Sequence, residues 1–332
     1  MSAHVDDSRT HLLQATPDGI ATAGALLRAG RLVAFPTETV YGLGADATNG
    51  KAVAAIYTAK ERPSFNPLIA HYPDALSAMQ HGRFNNTAKK LAQAFWPGPL
   101  TLVVPKAENC PISDLASAGL DSVALRVPQH PTARAILREA GTPIAAPSAN
   151  RSGRVSPTLA FHVMQDLDGR IAAVLDGGET HVGVESTIVA CINDRPVLLR
   201  PGGVTREAIK EVLGFDIDDV DPGNSANSDA PIAPGQLSSH YAPKAAVRLN
   251  ASDIQPGEAA LLFGAPLPGT DNAVAQFNLS QERDLSEAAA QLFAALRTLD
   301  TSGANCIAVA SIPHDGLGEA INDRLQRAAA PR

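Results

Sequence analysis

Basic side chains and hydroxyl groups recur in short segments of this sequence, some of which directly follow an apolar run that predicts a β-strand. Thr37 and Thr39 stand in PTETVYGLG, and Lys60 and Arg62 stand in KERP. Arg200 ends a further apolar run, PVLLR. Ammonium and guanidinium groups bind phosphates and carboxylates, and hydroxyls near strand ends bind polar ligands. These residue types therefore favour the binding of an anionic substrate such as a nucleotide.

Each of these segments also has a simpler interpretation when it is taken alone. The Thr37 and Thr39 hydroxyls can satisfy backbone groups of the turn in which they lie. Lys60 and Arg62 can be solvated charges at a helix end, where they complement the helix dipole. One segment therefore decides little, and a ligand site requires several of them to meet at one place.

Strand-like and helix-like stretches alternate along the chain and predict the elements that would bring the segments together. The run SVALRVP, residues 122–128, carries Ser122 and Arg126 four residues apart, a spacing that puts both side chains on one face of a strand. SANRSG, residues 148–153, follows the apolar run PIAAP, and its small side chains let a nucleotide approach closely. Several consecutive strand-like runs between residues 172 and 201 have no helix between them. This pattern predicts a mixed sheet with flanking helices.

Composition favours an α/β protein and argues against several other classes. Of 332 residues, 45% are hydrophobic and only 4% aromatic, a mix that suits strands packed beneath Ala-rich helices. No run approaches the ~20 apolar residues of a membrane span, and the polar N-terminus lacks a signal-peptide pattern, so we expect a cytoplasmic protein without membrane contact. The net charge of −7 argues against a general nucleic-acid binder, although a local basic pocket is compatible with it. Cys110, Cys191 and Cys306 are scattered and predict neither a disulfide framework nor a zinc site.

The chain divides into three parts. Residues 1–214 carry most of the segments above and are predicted to form a catalytic domain. Residues 215–245 are predicted to be a linker, because residues 216–230 carry five Asp with Gly, Asn and Ser and no basic residue. Residues 246–332 are predicted to form a smaller α/β domain, in which LSEAAAQLFAALRTLD has the apolar spacing of a helix. This part concentrates no reactive side chains, which favours a partner or regulatory role.

Taken in order, PTETVYGLG, KERP, NPL, SANRSG, VESTIV and RPGG resemble the threonylcarbamoyladenylate synthase family. APGQLSSHYAP and the small α/β domain after it resemble the two-domain form of that family, so the resemblance covers nearly the whole chain. Residues 236–239 depart from it, because the family often has a basic run before HYAP and this chain has Gln-Leu-Ser-Ser. The resemblance implies a YrdC-like twisted mixed sheet with flanking helices, followed by a smaller Rossmann-like α/β domain.

The family's reaction joins L-threonine, bicarbonate and ATP and gives threonylcarbamoyl-AMP and pyrophosphate. It needs no covalent protein nucleophile, and the sequence shows neither a serine elbow nor a Cys/His pairing. The resemblance implies Mg²⁺ on the ATP phosphates, with no metal site on the protein. It further implies that the product serves threonylcarbamoyladenosine modification of tRNA next to the anticodon, through a downstream transfer enzyme complex.

The resemblance also implies site residues. The residues that stabilise charge in catalysis are Lys60, Arg62 and Arg200. The ATP contacts are Lys60, Arg62, Asn66, Ser122, Asn150, Ser156 or Thr158, Arg200 and Tyr241. The L-threonine contacts are Thr37 or Thr39, His71, Arg126, Ser148 and Ser186, and Arg126 is the expected partner of the substrate carboxylate. Tyr241 is expected to close the pocket as part of a linker lid that keeps water from a labile intermediate.

Two other functions fit parts of the sequence. An RNA-binding or ribosome-associated factor could use the same basic cleft, and a weak RNA contact is compatible with the family's role, but the acidic net charge and dispersed aromatic residues argue against it. A carbamoyltransferase would explain the likeness to domains of larger carbamoylating enzymes, but 332 residues leave no room for their additional catalytic and zinc modules. We rank these functions second and third.

Overall fold

The structure, a computed structural model, describes residues 9–63, 66–193, 195–220 and 241–331. Two β-sheets organise these residues, one of eleven strands and one of four. Most of the predicted linker, including the Gln-Leu-Ser-Ser departure and His240, lies outside the described residues. The domain boundaries at residues 214 and 246 stay a prediction.

The strands and helices have the following bounds. The larger sheet contains β1 (His11–Gln14), β2 (Val33–Pro36), β3 (Tyr41–Asp46), β4 (Ile69–His71), β5 (Leu100–Pro105), β6 (Ser122–Arg126), β7 (Ile144–Ala145), β8 (Ala173–Asp176), β9 (Thr187–Ala190), β10 (Val197–Arg200) and β11 (Asp218–Asp219). The smaller sheet contains β12 (Ala246–Ala251), β13 (Glu258–Leu262), β14 (Gln276–Asn278) and β15 (Cys306–Ala310). The helices are α1 (Pro17–Arg28), α2 (Gly50–Lys60), α3 (Ala75–Met79), α4 (Asn86–Phe95), α5 (Pro131–Ala140), α6 (Ala160–Leu167), α7 (Arg206–Leu213), α8 (Leu285–Asp300) and α9 (Leu317–Ala329).

Both sheets confirm the predicted α/β class. The larger sheet has the strand order β1-β8-β2-β3-β7-β4-β6-β5-β9-β10-β11 and mixes pairing directions. β9 and β10 pair antiparallel, as expected for consecutive strands without a crossover helix. The smaller sheet has the order β12-β15-β13-β14, and all of its pairs are parallel. The mixed sheet predicted from the strand-like runs is therefore confirmed.

Local sequence explains where several elements begin and end. β2 and β9 are buried along their whole length, as apolar runs covered on both faces must be. α5 has Pro131 in its first turn and ends at Gly141 in the left-handed region (φ 66°), the usual asymmetry of helix ends. α8 begins after Asp284, whose carboxylate accepts the backbone N–H groups of Ser286 and Glu287.

The four-stranded sheet and its helices, called the C-terminal unit below (residues 246–331), pack against the larger sheet through one continuous core. Val40, Val184 and Tyr241 belong to the same buried cluster as the apolar faces of α8 and α9. At Gly183 the two backbones nearly touch: a Cβ there would lie 2.2 Å from the Ala289 carbonyl oxygen of α8. The C-terminal unit therefore lies directly against the segment that leads into β9.

Candidate active site

A small cavity of about 50 Å³, open to solvent, lies where strands of the larger sheet end. Strand register assembles it, since His71 of β4 pairs with Arg126 of β6, and Arg200 of β10 pairs with Ile188 of β9. Its lining residues are Val40, Arg62, Ile69, His71, Arg126, Ala146, Pro147, Ser148, Glu185, Ser186, Arg200 and Tyr241. The structure therefore brings together at one surface the predicted Arg62, His71, Arg126, Ser148, Ser186, Arg200 and Tyr241.

The turn between β2 and β3 separates the roles of its two threonines. The Thr37 hydroxyl accepts the N–H groups of Thr39 and Val40, each at 3.2 Å, and donates to the Val40 carbonyl oxygen at 2.7 Å. The Thr39 hydroxyl instead accepts from Nη2 of Arg126 at 3.0 Å. Thr37 thus satisfies backbone groups of the turn, whereas Thr39, whose hydroxyl lies 2.8 Å from that of Thr37, contacts Arg126 of the cavity wall.

Arg126 has a carboxylate partner within the protein, Glu38, which no sequence motif marks as such. Its Nη2 donates to Oε1 of Glu38 at 2.6 Å, and both side chains are buried. Oε2 of Glu38 accepts the backbone N–H of Gln129 at 3.0 Å, which fixes the carboxylate. The expectation that Arg126 pairs with the substrate carboxylate therefore needs refinement, because one side of the guanidinium is already engaged. Its Nε is buried and has no hydrogen-bond partner among the described residues, so this donor remains for a ligand.

Arg62 and Asn66 offer a second set of unsatisfied groups. Nη2 of Arg62 donates at 3.5 and 3.4 Å to the carbonyl oxygens of Asn66 and Pro67. Within the described part of the chain, Nε of Arg62 and Oδ1 of Asn66 are both buried without a hydrogen-bond partner. Burial of the guanidinium group lowers the pKa of Arg62 to about 10, so it stays charged at neutral pH. A buried donor and a buried acceptor that lack partners are suited to a polar ligand.

Arg200 holds the segment before β9 in place. Its Nε and Nη2 donate to the Ser186 carbonyl oxygen at 3.2 and 2.8 Å, and Nη2 also donates to the Ser186 hydroxyl at 3.2 Å. That hydroxyl lies 2.8 Å from the Thr101 hydroxyl. Burial lowers the pKa of Arg200, which nevertheless remains a cation in the cavity wall.

Lys60 lies outside the cavity lining, which changes the role that the structure favours for it. The residue is 1% exposed, and its ammonium group donates to the carbonyl oxygens of Ser148, at 2.6 Å, and Asn150. Burial first, and then the charge of Arg62, lower its pKa. Nδ2 of Asn150 in turn donates to the Arg151 and Arg154 carbonyl oxygens, each at 2.8 Å. Lys60 thus holds the SANRSG loop, and a direct phosphate contact by its ammonium stays a prediction.

Three other predicted nucleotide contacts, Ser122, Ser156 and Thr158, are not among the residues that line the cavity. The Ser156 hydroxyl donates to Oε1 of Glu185 at 2.7 Å, and the Thr158 hydroxyl lies 3.5 Å from Nδ1 of His162. Ser122 is half-buried at the first residue of β6. It shares a strand face with Arg126, but four residues at ~3.3 Å each place it about 13 Å away along the strand. Ser122 is therefore not brought to the cavity lining that contains Arg126.

In the cavity wall His71 is neutral, whereas Glu185 is ionised. Burial, and then the nearby Arg126, lower the pKa of His71 to about 3, so the imidazole is neutral at physiological pH. Burial alone would raise the pKa of Glu185, but Arg324 and then Arg200 lower it to about 2. The wall thus presents the cations Arg62, Arg126 and Arg200 together with one carboxylate that is already paired.

Tyr241 forms the remaining wall. Its ring lines the cavity, is 1% exposed and stacks on Phe293 of α8, with ring centroids 5.4 Å apart. Burial raises the pKa of its hydroxyl to about 12. The structure thus places Tyr241 in the cavity lining, while its contact with the nucleotide and its lid motion stay predictions.

A mixed sheet whose strand ends gather several guanidinium groups and hydroxyls around one cavity defines an α/β protein that binds an anionic ligand. Comparison with known proteins specifies this class. Residues 25–202 match a family described as "Telomere recombination", and residues 204–330 match one described as "Threonylcarbamoyl-AMP synthase, C-terminal domain". The chain belongs to the threonylcarbamoyl-AMP synthase family.

Individual relatives agree over nearly the whole chain. A threonylcarbamoyl-AMP synthase of Bacillus subtilis is 46% identical over 94% of this chain and 93% of its own length. One from Pyrococcus abyssi is 41% identical, with 94% of each chain covered. The crystal structure of P. abyssi Sua5 complexed with L-threonine superposes with a TM-score of 0.86 and 36% identity, covering 96% of this chain and 97% of that one.

Proposed function

We propose that this cavity synthesises threonylcarbamoyl-AMP from L-threonine, bicarbonate and ATP, the activating reaction for threonylcarbamoylation of tRNA. The observation that carries the proposal is the convergence of Arg62, Arg126 and Arg200 on one cavity in a chain of net charge −7. Such a local concentration of cations attracts anions that the rest of the surface repels. ATP and the threonine carboxylate both require that field.

The geometry supports a division of the cavity into two ends. We assign the threonine carboxylate to the free Nε of Arg126, beside the Thr39 hydroxyl and the neutral His71. Ser148 and Ser186 line the same cavity and can receive the substrate's polar groups. The P. abyssi protein in the compared crystal structure has L-threonine bound, which supports a threonine site on this fold.

The triphosphate is assigned to the other cations. Among the described residues, Nε of Arg62 has no partner and can donate to a phosphate oxygen. Oδ1 of Asn66 and of Asn150 are buried acceptors without a partner there, and they suit the donors of the nucleotide, its ribose hydroxyls and adenine amine. Lys60 acts by holding the loop that carries Asn150, and two of the three ammonium donors are used for this. Ser156, Thr158 and Tyr241 complete the nucleotide side as a proposal, while the position of Ser122 argues for a more distant contact.

The chemistry then needs positioning and charge stabilisation rather than a protein nucleophile. The threonine amine forms a C–N bond with bicarbonate, water is lost, and a carbamate results. A carbamate oxygen forms a bond to the α-phosphorus as the bond to the β-phosphate oxygen breaks, and pyrophosphate leaves. Arg62 and Arg200 stabilise the negative charge that develops on the phosphates.

In this proposal Mg²⁺ binds to the phosphates of ATP and not to a site on the protein. In the part of the chain that the structure describes, no group of three or more His, Cys, Asp and Glu could hold a metal ion. The carboxylate in the cavity lining, Glu185, is bound to Ser156 and Arg324. These residues therefore do not fit a Mg²⁺ ion held by the protein.

The same proposal includes three further points: a separate enzyme complex transfers the product to tRNA, the protein makes a weak RNA contact, and it is located in the cytoplasm. Among the described residues, no helix has both the length and the apolar character needed to cross a bilayer.

The test is pyrophosphate release from ATP, measured with and without L-threonine and bicarbonate, for the wild type and for Arg62→Met. Release that needs both substrates and falls by roughly 100-fold or more in the variant is expected, because a lost charge-stabilising donor has about that effect. Arg195→Met is the control, since Arg195 pairs with Asp218 in an exposed ion pair, its side chain 69% exposed. Salt-sensitive RNA binding without threonine-dependent turnover would overturn the proposal in favour of an RNA-binding factor. Turnover that requires carbamoyl phosphate would favour a carbamoyltransferase.

A further inference from the structure

One fully buried arginine of the C-terminal unit contacts the wall of the cavity. Arg324, on α9, is 0% exposed. Its Nε donates to Oε2 of Glu185 at 2.9 Å, and its Nη1 donates at 2.8 Å both to the Pro201 carbonyl oxygen and to the carboxylate of Asp323. A buried guanidinium with partners on another sheet is costly to desolvate and needs a specific arrangement to be retained.

The two segments that Arg324 joins are themselves in close backbone contact. A Cβ on Gly202 would lie 2.3 Å from the Glu185 carbonyl oxygen and 2.4 Å from the Thr187 nitrogen. Glu185 lies between Ser156 and Arg324, and its neighbour Ser186 is held by Arg200. Movement of the Arg324 guanidinium would therefore displace the Glu185–Ser186 wall.

Arg324 also holds Tyr241. Its Cζ lies 5.5 Å from the centre of the Tyr241 ring, a cation–π distance, while Phe293 stacks on the same ring. Tyr241 has φ +60°, a left-handed conformation that a bulky residue adopts only when its surroundings fix it. Two residues of the C-terminal unit, Arg324 and Phe293, contact the ring and contribute to these surroundings.

We propose that Arg324 is a positioning residue through which the C-terminal unit sets the Glu185–Ser186 and Tyr241 walls of the active-site cavity. The inference rests on the proposed function of that cavity and gives the C-terminal unit a defined part in it. Without Arg324, substrates would still meet Arg62 and Arg126, but in a cavity with a displaced wall. Misplacement of this kind, by about an ångström, costs up to roughly 100-fold in rate.

The experiment compares Arg324→Met and Arg324→Gln with Arg206→Met. Arg206 forms a different ion pair between the larger sheet's α7 and α9, with Glu319 at 2.7 Å, and does not line the cavity. Arg206→Met is therefore expected to weaken the contact between the units while leaving kcat and KM near the wild-type values. Both Arg324 variants are expected to lower kcat/KM for ATP by about 10- to 100-fold. Wild-type kinetics in either folded Arg324 variant would overturn the proposal, so it stays testable if one of them fails to fold.

A pH profile separates positioning from a general loss of stability. Glu185 faces Arg324 from α9, Arg200 from β10 and the Tyr241 hydroxyl, with Asp323 nearby. Loss of Arg324 removes its closest cation, which raises the carboxyl pKa. We expect the fall of kcat/KM at low pH to begin at a higher pH in Arg324→Met than in the wild type, and Glu185→Gln in the same chain to abolish this difference. Parallel profiles for the wild type and Arg324→Met would refute the role.

An activity-independent measurement distinguishes failure of this inference from failure of the proposed function. Amide hydrogen exchange of peptides that contain residues 184–187 should quicken in Arg324→Met and stay unchanged in Arg206→Met. If wild-type protein shows no threonine-dependent turnover but exchange responds as expected, the reaction assignment fails and the positioning role stands. If the enzyme is active but exchange in Arg324→Met is unchanged, the reaction assignment stands and the positioning role fails.

Discussion

Replacing Glu38 by Gln tests whether the buried Glu38–Arg126 pair orients Arg126 for the substrate. The amide keeps the size of the side chain, but it removes the charge opposite Nη2, now 2.6 Å away. Its NH₂ group must also face either the guanidinium or the Gln129 N–H, which the carboxylate accepts at 3.0 Å. Removing one partner of a buried ion pair costs ~3–5 kcal/mol of folding stability. Since the amide retains one acceptor, we expect the lower end, about 3 kcal/mol.

The same change should weaken the use of threonine. A hydrogen bond to a charged group contributes ~1.5–3 kcal/mol, and each 1.4 kcal/mol is about tenfold in an equilibrium. If the lost pair no longer fixes Arg126, kcat/KM for L-threonine should fall roughly 10- to 100-fold, while KM for ATP changes much less.

Urea unfolding and initial rates of threonine-dependent pyrophosphate release measure the two effects. Asp216→Asn is the matched control, because Asp216 forms an ion pair with Lys210 at 2.9 Å that is exposed to solvent. The Asp216 side chain is 71% exposed and the Lys210 side chain 56%. An exposed pair of this kind contributes at most about 1 kcal/mol. Glu38→Gln protein that is as stable as the control and has wild-type kcat/KM for threonine would refute the reasoning.

Three further changes test other parts of the site. Lys60→Met removes the donors that hold the Ser148 loop, so KM for ATP in the pyrophosphate assay should rise by about tenfold or more; an unchanged value would leave the loop contact without a role. Wild-type stability should fall as pH decreases from ~6.5 to 4.5, by up to roughly 3 kcal/mol, because the pKa of His71 is lowered to about 3 in the folded state and the unfolded chain takes up the proton first. Urea midpoints of His71→Asn should therefore vary less over this range, and an equal slope would contradict the burial argument. Tyr241→Ala should raise KM for ATP by up to about tenfold. Tyr241→Phe keeps the stack on Phe293, so its KM for ATP should stay within about twofold of the wild-type value. Equal kinetics of the two variants would show that the Tyr241 wall does not contribute to ATP binding.

Local features of the fold could be predicted because they depend on neighbours in sequence. The helix predicted over LSEAAAQLFAALRTLD has the observed bounds of α8, since apolar spacing is a property of neighbouring residues. The turn after β2 follows from the same kind of pattern. Strand order could not be predicted, because β5 pairs in parallel with the distant β9, a pairing that no local pattern encodes.

Residue types by themselves indicated the chemistry of this protein: basic side chains and hydroxyls near predicted strands favour an anionic ligand, and the order of their segments along the chain resembles one family of synthases. Only the tertiary structure decided which atom each side chain contacts. No sequence pattern marked Glu38, which lies between two threonines, as the partner of Arg126. The Lys60 ammonium group binds a loop and does not line the cavity. Arg324 had no sequence pattern to mark it, because its partner Glu185 lies 139 residues away. Sequence distance carries no information on such pairs, since the packing of the C-terminal unit against the larger sheet creates them.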